Sequence, residues 1–422
     1  MYQAPRGTSD VLPEEQAYWR YVEQKAIHFC QLFGYERIDT PIFEDTSLFS
    51  RSAGEYTDIV QKEMYTFKDR GGNSLTLKPE GTPAVCRAYI QHGLYNLPHP
   101  VKLYYITPIF RYDRPQAGRY RQHYQFGCEA IGDDDPALDA ELIDIAWQFY
   151  QSLDLRGLSI SLNSIGCKKC RPNYLAVLKD YYVKYTDALC SDCNNRLIKN
   201  PLRLLDCKQS KCQPIADSAP RNSDYLCREC DEHFKKLKRY LSLLKIPFNI
   251  DHRLVRGFDY YTRTVFEVQP GVEGSQSSIG GGGRYDDLIE ELGGKPTPAV
   301  GFGTGIERTI INLKRQNVAT PPIPRPLVFI AHVGRDAREE TLKLASKLRQ
   351  AGIGVIEAIS SKSLKAQLRQ ANTLGVNHTV IIGDDEVKTG TAILRDMTNA
   401  QQETVPVSKL PELLKQFHQN TD

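Results

Sequence analysis

The sequence predicts an α+β domain built on an antiparallel sheet, followed by a separate α/β domain with a mostly parallel sheet. Strand-like segments joined by turns rich in glycine, proline and aspartate dominate residues 35–132 and 250–303, whereas strands alternate with helices beyond residue 326. Between the two regions, the proline-rich segment 317–326 is typical of a stiff linker. We therefore assign residues 1–325 to the first domain, with a cysteine-rich insertion at about 166–245, and residues 326–422 to the second.

The composition bears on the partners and the cellular location of the protein. The 422 residues include 54 basic and 51 acidic side chains, so the net charge of +3 neither requires nor excludes a nucleic-acid partner. The first residues contain no apolar signal core, and no run approaches the 18 or more apolar residues of a membrane span. We expect a soluble cytoplasmic protein with no membrane partner.

The elements of the first domain follow from hydrophobic spacing. An amphipathic helix is predicted from three-four spacing that ends at Gly34, and its apolar positions are Trp19, Val22, Ala26, Phe29 and Phe33. Strands are predicted at 103–110 and 123–132, with one helix near "TPAVCRAYIQHG" before them. The insertion is expected to end in a helix at 235–245, and the second block of strands is expected to be broken by a helix starting near Arg284.

In the second domain, the order of elements is strand, helix, strand, helix, strand. The segments are "LVFIAHV", "AREETLKLASKLRQAG", "IGVIEAI", "SLKAQLRQANTLG" and "HTVIIG". Helices of this length between strands imply right-handed crossovers and parallel pairing.

The segment "IFRYDRPQAGRYRQHYQFGCEAIG" (109–132) contains the first candidate site. Period two places Tyr124, Phe126, Cys128 and Ala130 on an apolar face, and His123, Gln125, Gly127 and Glu129 on the opposite face. The loop before this strand carries the guanidinium groups of Arg111, Arg114, Arg119 and Arg121. Surface ion pairs would explain single members of this set. Four arginines in one short loop favour binding of a triphosphate or a nucleic-acid backbone.

Two further segments precede predicted helices. In "LKPEGTPAV" (77–85), Glu80 and Thr82 open a helix, where they could equally serve as a favourable dipole partner and a local cap. In "AVGFGTGIERTII" (299–311), three glycines precede a helix that carries Arg308. A glycine run of this kind is weak evidence for phosphate binding, and it is not a P-loop.

Together these segments resemble class II aminoacyl-tRNA synthetases. Phe110-Arg111 is similar to the second motif of that class, "GFGTGIER" (301–308) to the third, and the region around Pro41 to the first, which lies at the dimer interface in the class. "RPQAGRYRQ", "LVRGFDYY" and "GGRYD" are similar to signatures of the histidyl-tRNA synthetase family, and the resemblance covers essentially the whole chain.

The resemblance implies a division of roles in binding histidine. Glu80, Thr82 and Gln125 stand where the family holds the α-ammonium group of histidine, and Glu129 and Tyr261 stand where it holds the two imidazole nitrogens. Tyr260 is expected to be packing or a second wall of the same pocket. A site of this kind rejects side chains that leave its buried polar groups unpaired.

The resemblance also implies activation of histidine by ATP with Mg²⁺, followed by transfer to the 3′ end of tRNA(His). Arg111 and Arg256 are expected on either side of the α-phosphate, with Arg308 near the adenine and γ-phosphate. Asp113 stands where the family usually has glutamate at an adenine contact. Lys362, Lys365 and Arg369 lie on one predicted helix of a domain that resembles the family's anticodon-binding domain. A homodimer is expected.

The Arg119–Arg121 turn is expected to contact the acceptor end of the tRNA. In the loop "RLVRGFDYY", Asp259 is a candidate for orienting Arg256, since both lie on the same short segment.

Eight of the 11 cysteines lie between residues 167 and 230 and contain three Cys-x-x-Cys pairs. This spacing predicts structural zinc rather than disulfides in a reducing compartment. We predict two nested sites, an outer site and an inner site; the outer ligands are Cys167, Cys170, Cys227 and Cys230, and the inner ligands are Cys190, Cys193, Cys207 and Cys212. Reduced thiols without metal are the alternative.

Two other functions are compatible with parts of this pattern. A regulatory subunit of ATP phosphoribosyltransferase resembles the first domain and senses histidine without catalysis, but it normally lacks the second domain. A class II synthetase for another amino acid is the other alternative, and Glu129 with Tyr261 argues against it.

Overall fold

The computed structural model describes residues 2–54, 57, 59–113, 118–271, 278–323, 326, 328–359 and 362–419. The chain forms two compact units, residues 1–321 and 322–422. Within the described part of the chain, no helix combines the length and apolar character needed to cross a membrane.

The helices are α1 (Gln16–Leu32), α2 (Thr46–Ala53), α3 (Thr82–Gln91), α4 (Pro136–Ser152), α5 (Arg171–Val183), α6 (Ser191–Lys199), α7 (Gln213–Asp217), α8 (Arg228–Leu243), α9 (Leu288–Glu291), α10 (Ile306–Arg315), α11 (Arg335–Gln350), α12 (Leu364–Leu374), α13 (Asp384–Thr389) and α14 (Leu410–Gln419). The strands are β1 (Glu36–Arg37), β2 (Phe43–Asp45), β3 (Thr66–Lys68), β4 (Ser74–Leu77), β5 (Val101–Phe110), β6 (Gln122–Ile131), β7 (Ser159–Ser164), β8 (Phe248–Ile250), β9 (Thr262–Gln269), β10 (Gly280–Arg284), β11 (Ala299–Gly305), β12 (Val328–Val333), β13 (Val355–Glu357), β14 (His378–Gly383), β15 (Thr391–Asp396) and β16 (Gln402–Pro406).

The first unit is built on an eight-stranded sheet in the order β1-β5-β6-β11-β10-β9-β7-β8, in which all pairs from β5 to β7 are antiparallel. The predicted sheet, the first helix and the two strands of the arginine hairpin are therefore confirmed. Phe126, Cys128 and Ala130 of β6 are buried in a core with α1 and α4, as period two predicts. The opposite face of β6 is left to line a cavity.

The helix predicted to interrupt the second block of strands is present as α9, but it begins later than expected. The chain does not begin a helix near Arg284, because Arg284 is the last residue of β10 and α9 begins at Leu288. The Arg284 guanidinium is fully buried and pairs with Asp139 of α4, which is equally buried, and with Asp286 at 3.2 Å. A buried charge needs such partners, and Arg284 meets Asp139 of α4 from its position at the end of β10.

The insertion between β7 and β8 consists of α5 to α8 with short 3₁₀ turns. Its last helix, α8, is longer than predicted and packs its apolar side chains Phe234, Leu237 and Leu241 into the core shared with α4. The insertion is therefore joined to the eight-stranded sheet by a continuous hydrophobic core.

The second unit contains a five-stranded sheet in the order β13-β12-β14-β15-β16. Parallel pairing is confirmed for β12 with β13 and with β14, while β14, β15 and β16 pair antiparallel. The sheet is thus mixed and only partly parallel. Parallel pairing requires a long crossover, and the β15–β16 connection has only five residues, 397–401, so it can form only a hairpin.

Candidate active site

A cavity of about 640 Å³ lies above the eight-stranded sheet. Its walls come from β6, the start of α3, the loop before β9 and the insertion, and its floor comes from β10 and β11. Segments far apart in sequence therefore converge on a single pocket of the size that small-molecule sites usually have.

Two buried oxygens in the cavity wall have no hydrogen-bond partner. Glu80 precedes α3, and its Oε2 accepts a hydrogen bond of 2.6 Å from the Tyr260 hydroxyl, while its Oε1 is unpaired. The Gln125 Oε1 on β6 is also buried and unpaired. Burial raises the pKa of Glu80 to about 8, even though the Tyr260 hydrogen bond opposes this. Buried acceptors of this kind need a donor, and a ligand with an ammonium group would supply one.

Glu129 lies four residues after Gln125 on the same face of β6 and is completely buried. Three hydroxyls donate to its carboxylate: Thr82 at 2.7 Å and Tyr105 at 3.2 Å to Oε1, and Tyr285 at 2.5 Å to Oε2. Burial raises the pKa of Glu129 to about 7, although the three hydrogen bonds favour the ionised form. The carboxylate is thereby held in a fixed position; Glu129 itself does not line the cavity, but the three residues that donate to it do.

The loop before β9 brings Arg256 and Tyr261 to the cavity. The Arg256 Nη1 donates to Glu267 Oε1 at 2.6 Å, and its guanidinium carbon lies 5.6 Å from the Tyr261 ring centroid. The Arg256 Nε is buried without a partner. Arg256 is therefore a positioned cation with one free donor, which suits an anionic ligand.

Arg111 and Arg308 line the same cavity. The Arg111 Nε donates to the Pro79 carbonyl at 2.7 Å, and its guanidinium lies 5.4 Å from the Phe258 ring centroid. Arg308 donates to the carbonyls of Ser278 at 2.7 Å and Gly118 at 3.0 Å. Burial, with the two arginines nearby, lowers the pKa of His123 to about 3, so His123 is neutral and adds no charge.

The arginine hairpin loop does not act as one cluster. Arg119 and Asp113 line the cavity and approach each other at 3.5 Å. Arg121 instead lies over the Tyr112 ring, 3.8 Å from its centroid, and donates to the Asp113 carbonyl at 3.4 Å. Arg114 lies outside the described residues.

The glycine run on β11 is part of a strand rather than a loop. A β-carbon at Gly301 would lie 1.9 Å from Glu129 Oε2, and one at Gly303 would lie 2.1 Å from Gln125 Nε2. The glycines therefore make room for the two polar side chains of β6. In strands, glycine commonly marks such close approaches.

Asp259 does not orient Arg256, contrary to the expectation from the sequence. Its Oδ1 accepts a hydrogen bond of 2.7 Å from Asn200 of the insertion, while Glu267 on β9 pairs with Arg256. The reason is geometric, because the two side chains leave the turn around Gly257 in different directions, one toward the cavity and one toward the insertion.

The eight clustered cysteines form two groups, each with its four sulfur atoms within 4.8 Å of one another. The groups are Cys167, Cys170, Cys227 and Cys230, and Cys190, Cys193, Cys207 and Cys212. Sulfur atoms within the groups approach one another at 3.8 and 3.9 Å. Four thiolates at 2.3 Å from a tetrahedral zinc would be about 3.8 Å apart, so both groups fit this ion. All 11 cysteines are free thiols.

Local structure prepares the sulfurs for a metal. Cys190 caps α6 and accepts a hydrogen bond from the Cys193 amide, and the Cys170 sulfur accepts one from the Cys167 amide. Burial disfavours the thiolate of Cys167, but hydrogen bonds from the amides of Cys170 and Lys169 outweigh it and lower the pKa of Cys167 to about 7. Thiolate is the form that binds zinc.

Three site residues were missed in the sequence. Tyr105 and Tyr285 donate to Glu129, and Glu267 pairs with Arg256. Tyr285 lies in the quoted "GGRYD", and the four glycines that precede it on β10 were a signal of close approach to a ligand. Tyr105 offered no comparable signal, because it lies in a continuous apolar strand.

Comparison with known proteins shows similarity along the whole chain. Residues 7–169 and 206–309 match the family model described as histidyl-tRNA synthetase, and residues 327–417 match the anticodon binding domain. The chain is 60% identical over 410 residues to a histidine–tRNA ligase of Dehalococcoides mccartyi, covering 97% of this chain and 98% of that protein. It is 49% identical over 411 residues to a histidine–tRNA ligase of Desulforamulus reducens, covering 97% and 98%.

A solved structure gives the same result. The crystal structure of apo S. aureus histidyl-tRNA synthetase superposes with a TM-score of 0.83 at 37% identity, covering 98% of this chain and 100% of that chain. The family model leaves out residues 170–205, which contain Cys170 and the first two cysteines of the inner group.

Proposed function

Because the chain belongs to the histidyl-tRNA synthetase family, we propose that its cavity binds histidine and ATP through the residues described above. The chain is a histidine–tRNA ligase, which joins histidine to AMP at the expense of ATP and transfers it to tRNA(His). The second unit matches the anticodon binding domain, which the regulatory paralogue normally lacks.

The unpaired buried oxygens carry the proposal for histidine. The α-ammonium group pairs with Glu80 and Gln125, whose free oxygens lie in the cavity wall. Glu129 accepts a hydrogen bond from the N–H of one imidazole nitrogen, and the Tyr261 phenol hydrogen-bonds to the other nitrogen. Thr82 donates to Glu129 and Tyr260 donates to Glu80, so these two hydroxyls position the carboxylates that bind histidine. An amino acid with an apolar side chain would still bring the ammonium group, but it would offer Glu129 and Tyr261 no imidazole nitrogen.

The arginines carry the proposal for ATP. The carboxylate of histidine attacks the α-phosphorus, pyrophosphate leaves, and Arg111 and Arg256 stabilise the negative charge that gathers between them. Both line the cavity, and Arg256 retains an unpaired buried donor. Arg308 binds the outer phosphates of ATP, and Asp113 contacts its adenine. Mg²⁺, which members of this class use with ATP, supplies further charge neutralisation on the phosphates.

Exposed side chains support the proposed contacts with tRNA and with a second subunit. Arg119 is half exposed at the cavity mouth and suits the acceptor end, whereas Arg121 supports the loop through Tyr112. A homodimer is proposed from the exposed apolar side chains beside Pro41, namely Ile42, Phe43 and Phe67. The protein is proposed to act in the cytoplasm, where a reducing medium keeps its thiols free.

Both cysteine groups are proposed to hold structural zinc. Their sulfur spacing, the amide hydrogen bonds to sulfur and the absence of an obvious fifth ligand position within the described residues suit closed tetrahedral sites. Metal analysis of protein purified without chelators should give two zinc ions per chain. A value below one would exclude the two-site arrangement.

ATP–pyrophosphate exchange with each amino acid in turn tests the proposed site. Exchange should be strong with histidine and close to background with the others. Exchange with none would favour a regulatory protein, and preference for another amino acid would exclude the proposed roles of Glu129 and Tyr261.

A further inference from the structure

The inner cysteine group is not remote from the reaction site. Cys190 and Cys207 line the cavity, and so do Arg203 and Lys208 from the same part of the insertion. The insertion therefore forms one wall of the cavity, and the inner group lies within that wall. The outer group, by contrast, contributes no residue to the cavity lining.

The chain between the inner cysteines contacts the loop that carries Arg256. The Asn200 Nδ2 donates to Asp259 Oδ1 at 2.7 Å, and the Arg253 Nε donates to the Leu205 carbonyl at 3.2 Å. Asn200 and Leu205 both lie between Cys193 and Cys207. The contacts reach the loop on both sides of Arg256, three residues before it and three after it.

Apolar packing joins the same two segments. Leu204 and Leu205 are almost completely buried in one core with the inner cysteines, and this core also contains Val255 and Tyr260 of the loop. The inner cysteines and the loop therefore share one close-packed core, through which the position of one can affect the other.

We propose that zinc in the inner site positions the Arg256 loop for the adenylation step, so that occupancy of the inner site sets the rate of histidine activation. This inference rests on the proposed function and on the proposed zinc sites. Zinc fixes Cys207 relative to Cys190 and so fixes the 200–207 segment against the loop. Asn200 is a positioning residue, since it acts on Arg256 only through the loop.

Binding of histidine should depend less on the inner site. Glu80, Gln125 and Glu129, which hold the ammonium group and the imidazole, lie at the start of α3 and on β6, and the hydrogen bonds of Glu129 come from Thr82, Tyr105 and Tyr285 rather than from the insertion. Tyr260, which donates to Glu80, and Tyr261 do belong to the same loop, so loss of zinc should also raise the KM for histidine, but by a smaller factor than it lowers kcat. A general loss of folding would instead reduce the fraction of folded protein, which calorimetry measures.

The first test is the variant Cys207→Ser, with Cys30→Ser as a control that removes a buried thiol outside both groups. Zinc should fall from two ions per chain to one, and the rate of pyrophosphate exchange at saturating substrates should fall at least about tenfold, because a misplaced group at the reacting centre is costly. The KM for histidine should change less than about threefold. Loss of one zinc with an unchanged exchange rate would overturn the inference and leave the zinc sites intact.

The second test leaves every cysteine in place, so it remains decisive if Cys207→Ser does not fold. Asn200→Ala should keep two zinc ions and lower kcat roughly fivefold to tenfold, since it removes a hydrogen bond to a charged group. Asn194→Ala is the matched control, because Asn194 lies in α6, which ends just before Asn200, but donates to the Thr186 carbonyl instead of the loop.

Exchanging the donor and the acceptor should restore the contact. The double variant Asn200→Asp/Asp259→Asn should recover most of the rate lost in Asn200→Ala. If Asn200→Ala keeps the wild-type kcat, the proposed coupling is wrong. Wild-type protein with under one zinc ion would overturn both the zinc sites and this inference, whereas wild-type protein without histidine-dependent exchange would overturn the proposed function instead.

Discussion

Glu129→Gln should make the protein more stable at neutral and alkaline pH while abolishing histidine activation. The carboxylate is completely buried, and burial raises its pKa from 4.5 to about 7. Because each pKa unit corresponds to about 1.4 kcal/mol, keeping Glu129 ionised costs the folded protein about 3 kcal/mol relative to the unfolded chain. Glutamine has nearly the same shape and carries no charge, so it avoids this cost.

The sign of the effect depends on pH. The pKa of Glu129 is higher in the folded state, so the folded protein binds more protons than the unfolded chain between pH 4.5 and about 7. The associated stability is fully present below pH 4.5 and is lost as the pH rises through 7. The advantage of Glu129→Gln should therefore be small at pH 5 and reach about 3 kcal/mol at pH 8.

Activity should change in the opposite direction. The amide that replaces one oxygen can still pair with the hydroxyl of Tyr285, but it presents a donor where the imidazole N–H needs an acceptor. Histidine-dependent exchange should fall by at least about 100-fold, since a buried mismatch of polar groups is left in the complex.

Calorimetry of the full chain at pH 5 and pH 8, with exchange assays on the same samples, measures both effects. Glu291→Gln is the control, because Glu291 is exposed and lies outside the cavity. An unchanged melting temperature at pH 8 would refute the cost assigned to the buried charge. Wild-type exchange in Glu129→Gln would refute its role in reading the imidazole.

Three further predictions follow from the site and the surfaces around it. Arg256→Ala should lower kcat for adenylate formation about 100- to 1000-fold, with a smaller change in histidine affinity. The control Arg263→Ala removes a guanidinium outside the cavity and should have little effect on either quantity. Stopped-flow assays measure kcat, and titration measures the affinity. Loss of histidine affinity with normal kcat would contradict the role of Arg256. Cys170→Ser should release one zinc ion and lower the melting temperature by several degrees, as metal analysis and calorimetry can show. Sedimentation of the wild type should give twice the 47.8 kDa chain mass, and Phe43→Asp should shift it toward the monomer; an unchanged mass would exclude this surface as the interface.

Periodicity predicted the parts of the fold that depend on local sequence. The alternation along β6 was enough to place Gln125 and Glu129 on one face, because the side chains of a strand must alternate. Cysteine spacing predicted which sulfurs come together, since each Cys-x-x-Cys pair is a local turn and only the grouping of pairs was in question. By contrast, the role of Arg284 depends on Asp139, a partner 145 residues away, and no local pattern contains that information.

The same limit applies to Asp259 and Arg256. Being three residues apart in a crowded loop, they looked like natural partners, and charge alone favoured pairing them. The actual partners, Asn200 and Glu267, come from the insertion and from β9. Loop residues are placed by the elements that pack on them, so sequence neighbours on a turn can face different parts of the molecule.

The raised pKa values of Glu80 and Glu129 bear directly on how the site selects its substrate. Both carboxylates are buried, so keeping them ionised is costly in the free protein, and Glu80 also has an oxygen without a partner. A ligand relieves that cost best if it brings an ammonium group to one end and an N–H donor to the other, at the separation set by β6 and the start of α3. Histidine does both, whereas an amino acid with an apolar side chain would satisfy Glu80 but bring no N–H donor to Glu129. The instability of the free site and its selectivity for histidine therefore have one physical origin, which is the burial of acceptors whose donors belong to the substrate.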